Sequence, residues 1–293
     1  MVRFDRIIKI AALTLLASAS LVRAAPTAAT NAGEDTIGKH MSLSGPIDAR
    51  FVAAIEEVSS KYPTIRVLVI DSEGGEVEAA LRLAQLVRDH GWDVAVKNKC
   101  LSACANFVFP AGKRKIVLPN SWVGIHATRR EFHRNDGSIY YVSGNEIAQT
   151  MSTGNIDATS VDAARKWDAD TASFYHSLGL STVLLQDFAN YVSYRKRVLG
   201  VETINDYPDV EGCPRYKAWA LNKKQLEGMG ITGIVEFWFP ANQAEEGTLY
   251  KTGEFQPGSI YIGSAEKLGT LCKGPPLNWF ERLRLSVVER LLP

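Results

Sequence analysis

No block of like charge runs anywhere in this chain. Lys and Arg total 33, Asp and Glu total 32, and the two signs are mixed along the 293 residues, for a net charge of +1. Nucleic-acid binding needs a basic stripe, so no nucleic-acid partner is expected. Histidine is scarce, five in all, and none has a second ligand at metal-binding spacing. Cysteine is scarcer, four in all, and Cys100 and Cys104 have no zinc-type pair behind them, so no metal site is expected. Internal repeats are missing, and low-complexity sequence is confined to a short leader. An apolar fraction of 46% supports a full core in one large domain or one domain with appendages.

A long apolar run at the start is also missing. Residues 10–22 are apolar but too short for a comfortable bilayer span, and they follow Arg3, Arg6 and Lys9. This is the layout of a signal peptide, with cleavage after Ala24 in Val22-Arg23-Ala24. An uncleaved anchor is the lesser reading, because Arg23 interrupts the run. Residues 1–24 are read as signal peptide, 25–38 as a disordered leader, 39–240 as the main domain and 241–293 as a C-terminal extension. The protein is expected to be exported, periplasmic or extracellular. An even number of cysteines in an oxidising compartment reads as disulfides. Cys100–Cys104 with Cys213–Cys272 is the favoured pairing; the alternative packs Cys104 as a small apolar residue on a helix.

Hydrophobic periodicity divides the chain. Met41 to Leu43 reads as an edge strand. Ile47, Phe51, Val52, Ile55 and Val58 form one helical stripe, stopped by Pro63. Residues 65–70 are apolar and β-branched, as in a strand buried on both faces. Residues 76–90 are helical up to Gly91, 92–96 form a strand, 102–109 a helix rich in small residues, and 116–118 and 122–126 two more strands. This alternation predicts an α/β unit with parallel strands. Asn135-Asp136-Gly137 between residues 130–133 and 138–142 signals a hairpin. Residues 150–160 read as a loop, 161–178 and 181–194 as helices, 223–228 as a short helix and 231–239 as a strand. Two weak strands are expected within 250–262, and an amphipathic helix over 278–292 with Trp279 and Phe280 on its apolar side.

Three chemical groups fall at strand ends. Gly74-Gly75 follows the first buried strand, Ser102 opens a helix, and His126 ends a strand. A serine hydroxyl needs a base and amide donors for the oxyanion. His126 can be that base, with donors at the Gly74-Gly75 turn and just after Ser102. Each element alone is more often a turn, an N-cap or a structural histidine. Their shared placement is what points to a site, since ligands collect at the carboxyl ends of strands in α/β folds.

On these residues the chain resembles the Clp protease proteolytic subunit and its wider Clp/crotonase superfamily. Ile70-Asp71-Ser72-Glu73-Gly74-Gly75-Glu76-Val77 is similar to the family's Asn-Ser-Pro-Gly-Gly-x-Val segment. Ser102-Ala103-Cys104-Ala105, followed by Ala111-Gly112, is similar to its Ala-Ser-Met-Ala segment. Leu118-Pro119-Asn120 leading to Ile125-His126 is similar to its base-bearing run, and Gly228-x-Gly230-Ile231 is a fainter echo of its late helix. The match covers residues 40–128 and 215–237. An ungapped match back from Ala111-Gly112 lands on Ala103, so one residue must be inserted to reach Ser102. The family's third catalytic residue, an aspartate, maps to Asp209, with Glu211 in reserve.

The resemblance implies a Clp/crotonase-like spiral of βαβ units with a helical C-terminal part. It implies a homo-oligomer, a Ser102 nucleophile, a His126 base, an oxyanion hole from Gly74 and Ala103 shaped by Gly75, and no cofactor. The function expected is an exported serine hydrolase, a peptidase acting on a peptide or protein substrate. The rivals are an inactive peptide-binding or assembly module and a crotonase-type acyl-CoA enzyme, the latter opposed by the export signal. The C-terminal helix is expected to cap a neighbouring subunit, with membrane association the lesser alternative.

Overall fold

The computed structural model describes residues 39–126, 129–143, 146–152, 154–200, 210 and 212–281. The expected signal peptide and leader (residues 1–38), Asp209, Glu211 and residues 282–293 lie outside that set.

Strand β1 (His40–Ser44) is an edge strand. Helix α1 (Ala49–Lys61) begins where Asp48 accepts a hydrogen bond from the Phe51 N–H at 2.8 Å, and it buries Phe51, Val52 and Ile55. It leads into β2 (Val67–Ser72), parallel to β1. Helix α2 (Val77–Asp89) buries Ala80, Leu83, Ala84 and Val87 and feeds β3 (Asp93–Leu101), parallel to β2. A π-helical turn (Cys104–Val108) and the short α3 (Phe109–Ala111) follow.

β3 runs past the expected strand, and it forks. Its first half, Val94 to Val96, pairs with β4 (Lys115–Val117). Its second half, Lys99 to Leu101, pairs with β5 (Trp122–Ile125), both in parallel. Asn98 sits at the fork with φ +62°. Its N–H donates to Ser121 Oγ at 2.8 Å and its side-chain amide to Asp71 Oδ2 at 2.8 Å. The sheet divides because one strand cannot hold two partners on the same edge over the same residues.

Strands β6 (Arg129–His133) and β7 (Ile139–Ser143) form the expected hairpin, paired antiparallel over five residues. Helices α4 (Glu146–Ser152), α5 (Ala158–Leu178) and α6 (Val183–Leu199) follow. The expected loop over 150–160 is a correction: α4 occupies its start and α5 its end. Asp157 caps α5 by accepting from the Ser160 N–H at 2.9 Å. Only Ala164, Phe174 and Tyr175 of that helix are buried, which leaves little apolar periodicity to read.

Strand β8 (Ala218–Ala220) pairs antiparallel with β5; the sequence reading missed it. Helix α7 (Lys223–Gly228) starts at an Asn222/Gln225 capping box, and β9 (Ile234–Phe237) lies parallel to β4. Helix α8 (Gln243–Gly253) takes residues 250–253, where the first of the two weak strands was expected, and only the second is present, at Ile260–Tyr261. It buries Leu249 alone, again too little for periodicity to show. Strand β10 (Ile260–Tyr261) is parallel to β8, and α9 (Ala265–Leu268) follows. The C-terminal helix begins at 279, within the expected span.

The architecture is mixed α/β with a mostly parallel sheet. The main core lies between the sheet and α1, α2 and the π turn. A second cluster joins Leu101, Trp122, Ala218 and Ala220 to Leu249 and Ile260. Leu249 and Ile260 thus carry residues 241–281 against the end of the sheet. Both disulfides pair as favoured, Cys100–Cys104 and Cys213–Cys272. In the chain-entropy account the 59-residue closure restrains the unfolded chain by about 4 kcal/mol, and the four-residue closure by about 2 kcal/mol.

Lys115 is buried inside β4 at 4% exposure, its Nζ donating to Gly112 O at 2.6 Å. Burial pushes its pKa down to about 8 from 10.5. Between those two values the unfolded chain holds the proton that the folded chain has lost. Stability should therefore rise with pH across that window, by on the order of 3 kcal/mol. Urea denaturation from pH 7 to 10.5 checks this. The rise should vanish in Lys115→Met, and a flat wild-type profile would contradict the assignment.

Candidate active site

Three neighbouring parallel strands end at one edge. Ser72 of β2 is level with Cys100 of β3, which is level with Val123 of β5, and Leu101 is level with Gly124. Just beyond these rows come Gly74, Ser102 and His126. The three chemical groups expected from sequence thus leave three adjacent strands at their carboxyl ends, where ligands gather in α/β folds.

Ser102 follows the last residue of β3 directly. Its φ is +54°, a left-handed conformation that costs a serine about 1–2 kcal/mol. Its N–H donates to Gly124 O at 3.1 Å, tying the turn to β5. Ala103 is already helical, at φ −59° and ψ −29°. The Phe109 N–H then reaches back to Cys104 O, a five-residue step that defines the π turn. A π turn holds one residue more than an α turn.

Gly74 is packed against the serine. A Cβ on it would lie 2.6 Å from Ser102 Cβ, 2.7 Å from Leu101 O and 2.9 Å from Ala103 N, and its φ is +96°. Only glycine fits so close to the serine, and the approach sets the Gly74 and Ala103 backbones side by side. Gly75 is held from its other side. The Ile47 N–H donates to Gly74 O at 2.8 Å, and the Glu76 N–H donates to Ile47 O at 2.8 Å. The Gly74 N–H donates to Ser72 Oγ at 3.1 Å, and that hydroxyl donates onward to Gly45 O at 2.7 Å. The two cysteines on either side of Ser102 are fully buried and bonded, with Cα atoms 5.3 Å apart.

His126 is exposed, while Ser102 is half-buried. His126 lines a cavity of about 710 Å³, with Arg130 from β6, Ile147 and Met151 from α4, Trp167, Asp168 and Thr171 from α5, and Leu185 from α6. Arg130 lies over the Trp167 ring at 3.9 Å, donates to Ala164 O at 3.1 Å and pairs with Asp168. Helix α5 is docked to the serine turn through Phe174 and Tyr175, which meet Phe107 of the π turn edge-on at 5.5 and 6.1 Å. Burial raises the Tyr175 hydroxyl pKa above its ordinary value, so it stays neutral. Apart from His126, sequence reasoning found none of these cavity residues. Arg130 and Asp168 lie far apart in the chain, and no local pattern announces their pairing. Among the described residues no group of three His, Cys, Asp or Glu side chains is placed to hold a metal ion.

Gly74→Ala should destabilise the protein by at least about 2 kcal/mol, because it adds backbone strain to a clash with backbone atoms. Gly137→Ala, at φ +83° with open space around it, should cost no more than about 1–2 kcal/mol. Paired denaturation curves test the contrast, and equal losses would show that the contact with Ser102 is loose.

No protein-family model and no curated protein matches this chain. Solved structures do. A mutant of ClpP1 from Listeria monocytogenes is 14% identical, with 70% of this chain and 93% of that one covered and a TM-score of 0.39. A mutant of the membrane-bound stomatin-specific protease 1510-N is 12% identical, with 76% and 95% covered and a TM-score of 0.38. Neither likeness decides what this chain does.

Proposed function

We propose that this chain is an exported serine hydrolase, a peptidase that works through Ser102 and His126. One observation carries the reading. A serine is held in a left-handed turn at the carboxyl end of a parallel strand, against a glycine with no room for a side chain, one strand away from a histidine that opens onto a cavity. A strand-to-helix turn of this kind presents a nucleophile in other α/β hydrolases.

In the proposed reaction His126 takes the Ser102 proton as Oγ bonds to the substrate carbonyl carbon. The negative oxygen is met by the Ala103 N–H and by the Gly74-Gly75 turn. In the resting site the Gly74 N–H is engaged by Ser72 Oγ, so its contribution requires the amide to turn from that hydroxyl to the substrate. The carbon–nitrogen bond then breaks, and His126 returns the proton to the leaving amine. Water hydrolyses the acyl-enzyme by the same steps in reverse. Asp209 keeps the third role in this proposal, and no cofactor takes part. The cavity beside His126 receives a substrate side chain.

The engaged Gly74 amide favours one rival, a non-catalytic module that binds peptide in the same cleft. A fluorophosphonate probe separates the two. The wild type should be labelled, and Ser102→Ala should not. Hydrolysis of a peptide library should fall by about 10³-fold or more in both Ser102→Ala and His126→Ala. An unlabelled wild type with unchanged peptide affinity in Ser102→Ala would establish the rival.

The proposal includes self-assembly through the C-terminal helix. Trp279 and Phe280 begin that helix at 72% and 61% exposure, a pair of large apolar rings in water. Replacing both with serine should lower the sedimentation coefficient. If sedimentation is unchanged but vesicle binding is lost, the helix serves a membrane instead.

A further inference from the structure

We infer that the Cys100–Cys104 disulfide is a register lock, which makes Ser102 rather than Ala103 the residue presented at the end of β3. The inference rests on the serine hydrolase reading and goes beyond it, since it concerns how the nucleophile is chosen.

The lock has an anatomy. Cys100 belongs to the last pairs of β3, level with Ser72 and Val123. Cys104 is the first residue of the π turn and accepts the bond that defines it, from the Phe109 N–H. The ring they close contains only Leu101, Ser102 and Ala103. One end is fixed in the sheet and the other in the helical segment, so the ring holds the three residues between them in one placement relative to both. A left-handed residue sits inside it, and that residue is Ser102.

The lock has an alternative to exclude. A π turn relaxes to an ordinary α turn by losing one residue. If the π turn over 104–108 relaxed toward its N-terminal side, the segment from Ala103 onward would shift by one position. Ala103 would then stand where Ser102 stands, packed against Gly74. This is the arrangement an ungapped reading back from Ala111-Gly112 yields. Alanine carries the left-handed conformation no worse than serine does, so backbone strain does not choose between the two registers and the π register needs something to hold it. A covalent tie from strand to turn does so without depending on the packing around it.

General stabilisation is the smaller part of what this bridge can do. It closes four residues, whereas Cys213–Cys272 closes 59, and the shorter closure restrains the unfolded chain about half as much. Both Cys100 and Cys104 are fully buried in the main core, among Ala103, Ala105, Phe107 and Val108. Hydrophobic packing would keep the segment folded without the bond, and the bond adds the register.

The experiment compares four proteins with the fluorophosphonate probe and maps the labelled residue by mass spectrometry. They are the wild type, Cys100→Ala/Cys104→Ala, that double variant with Ala103→Ser added, and Cys213→Ala/Cys272→Ala. The first double variant should keep its far-ultraviolet circular dichroism and lose at least tenfold in labelling rate at Ser102. Adding Ala103→Ser should restore labelling at position 103. The Cys213/Cys272 variant should melt at a lower temperature with its labelling site unchanged. Labelling of Ser102 at the wild-type rate in the absence of the bridge overturns the lock, as does failure of Ala103→Ser to restore labelling. An unlabelled wild type sinks the hydrolase reading instead. Hydrogen exchange over residues 98–109 then tests the lock alone: faster exchange without the bridge supports it, and unchanged exchange overturns it.

Discussion

Two chain segments meet at Ser102 only because Gly74 has no side chain. The hypothetical Cβ lies inside contact distance of a serine carbon, a carbonyl oxygen and an amide nitrogen at once. Every other feature of the site is arranged around that approach. The parallel pairing of β2 with β3 brings the two turns level, and β5 on the far side of β3 brings His126 to the same edge. Ile47 holds the glycine turn from behind through two backbone hydrogen bonds. A side chain at position 74 would have to push these elements apart, and the sheet itself resists that.

The fork in β3 performs a related service. A strand with one partner along its whole length would carry β4 or β5, not both. Splitting the pairing at Asn98 lets β4 join β9 to the sheet at one end, while β5 delivers His126 at the other. Asn98 tolerates the left-handed conformation this requires and uses its side chain to hold Asp71, one residue before the end of β2. The sheet and the site are thereby joined by one polar contact between neighbouring strands.

Legibility in the sequence followed burial. The stretch from β1 to β5 was read nearly element for element, because its helices bury a wide apolar stripe and its strands are apolar on both faces. The cysteine pairing was legible as well, as the favoured one of three. Gly74, Ser102 and His126 were placed at strand ends from element order and the family resemblance; that the strands are adjacent comes from the register. What failed were short elements held by few apolar anchors, α4, β8 and α8, and the first turn of α5. Helix α8 buries Leu249, α5 buries three residues of its length, and both are started by Asx caps that look like turn signals in a sequence. The cavity beside His126 was invisible for a different reason. Its walls come from β6, α4, α5 and α6, and its key contact, Arg130 with Asp168, spans 38 residues. Pairing over such a separation leaves no periodic trace.

The second disulfide has a consequence for the life of the molecule. Cys213 lies just ahead of β8, and Cys272 lies beyond β10 and α9, so the bond encloses the whole last third of the sheet in one covalent circle. A nick by a foreign enzyme anywhere inside that circle opens it without releasing a fragment. Both halves stay attached, with β8 and β10 still paired. In surroundings rich in hydrolytic enzymes, such a chain can be cut once and still remain whole.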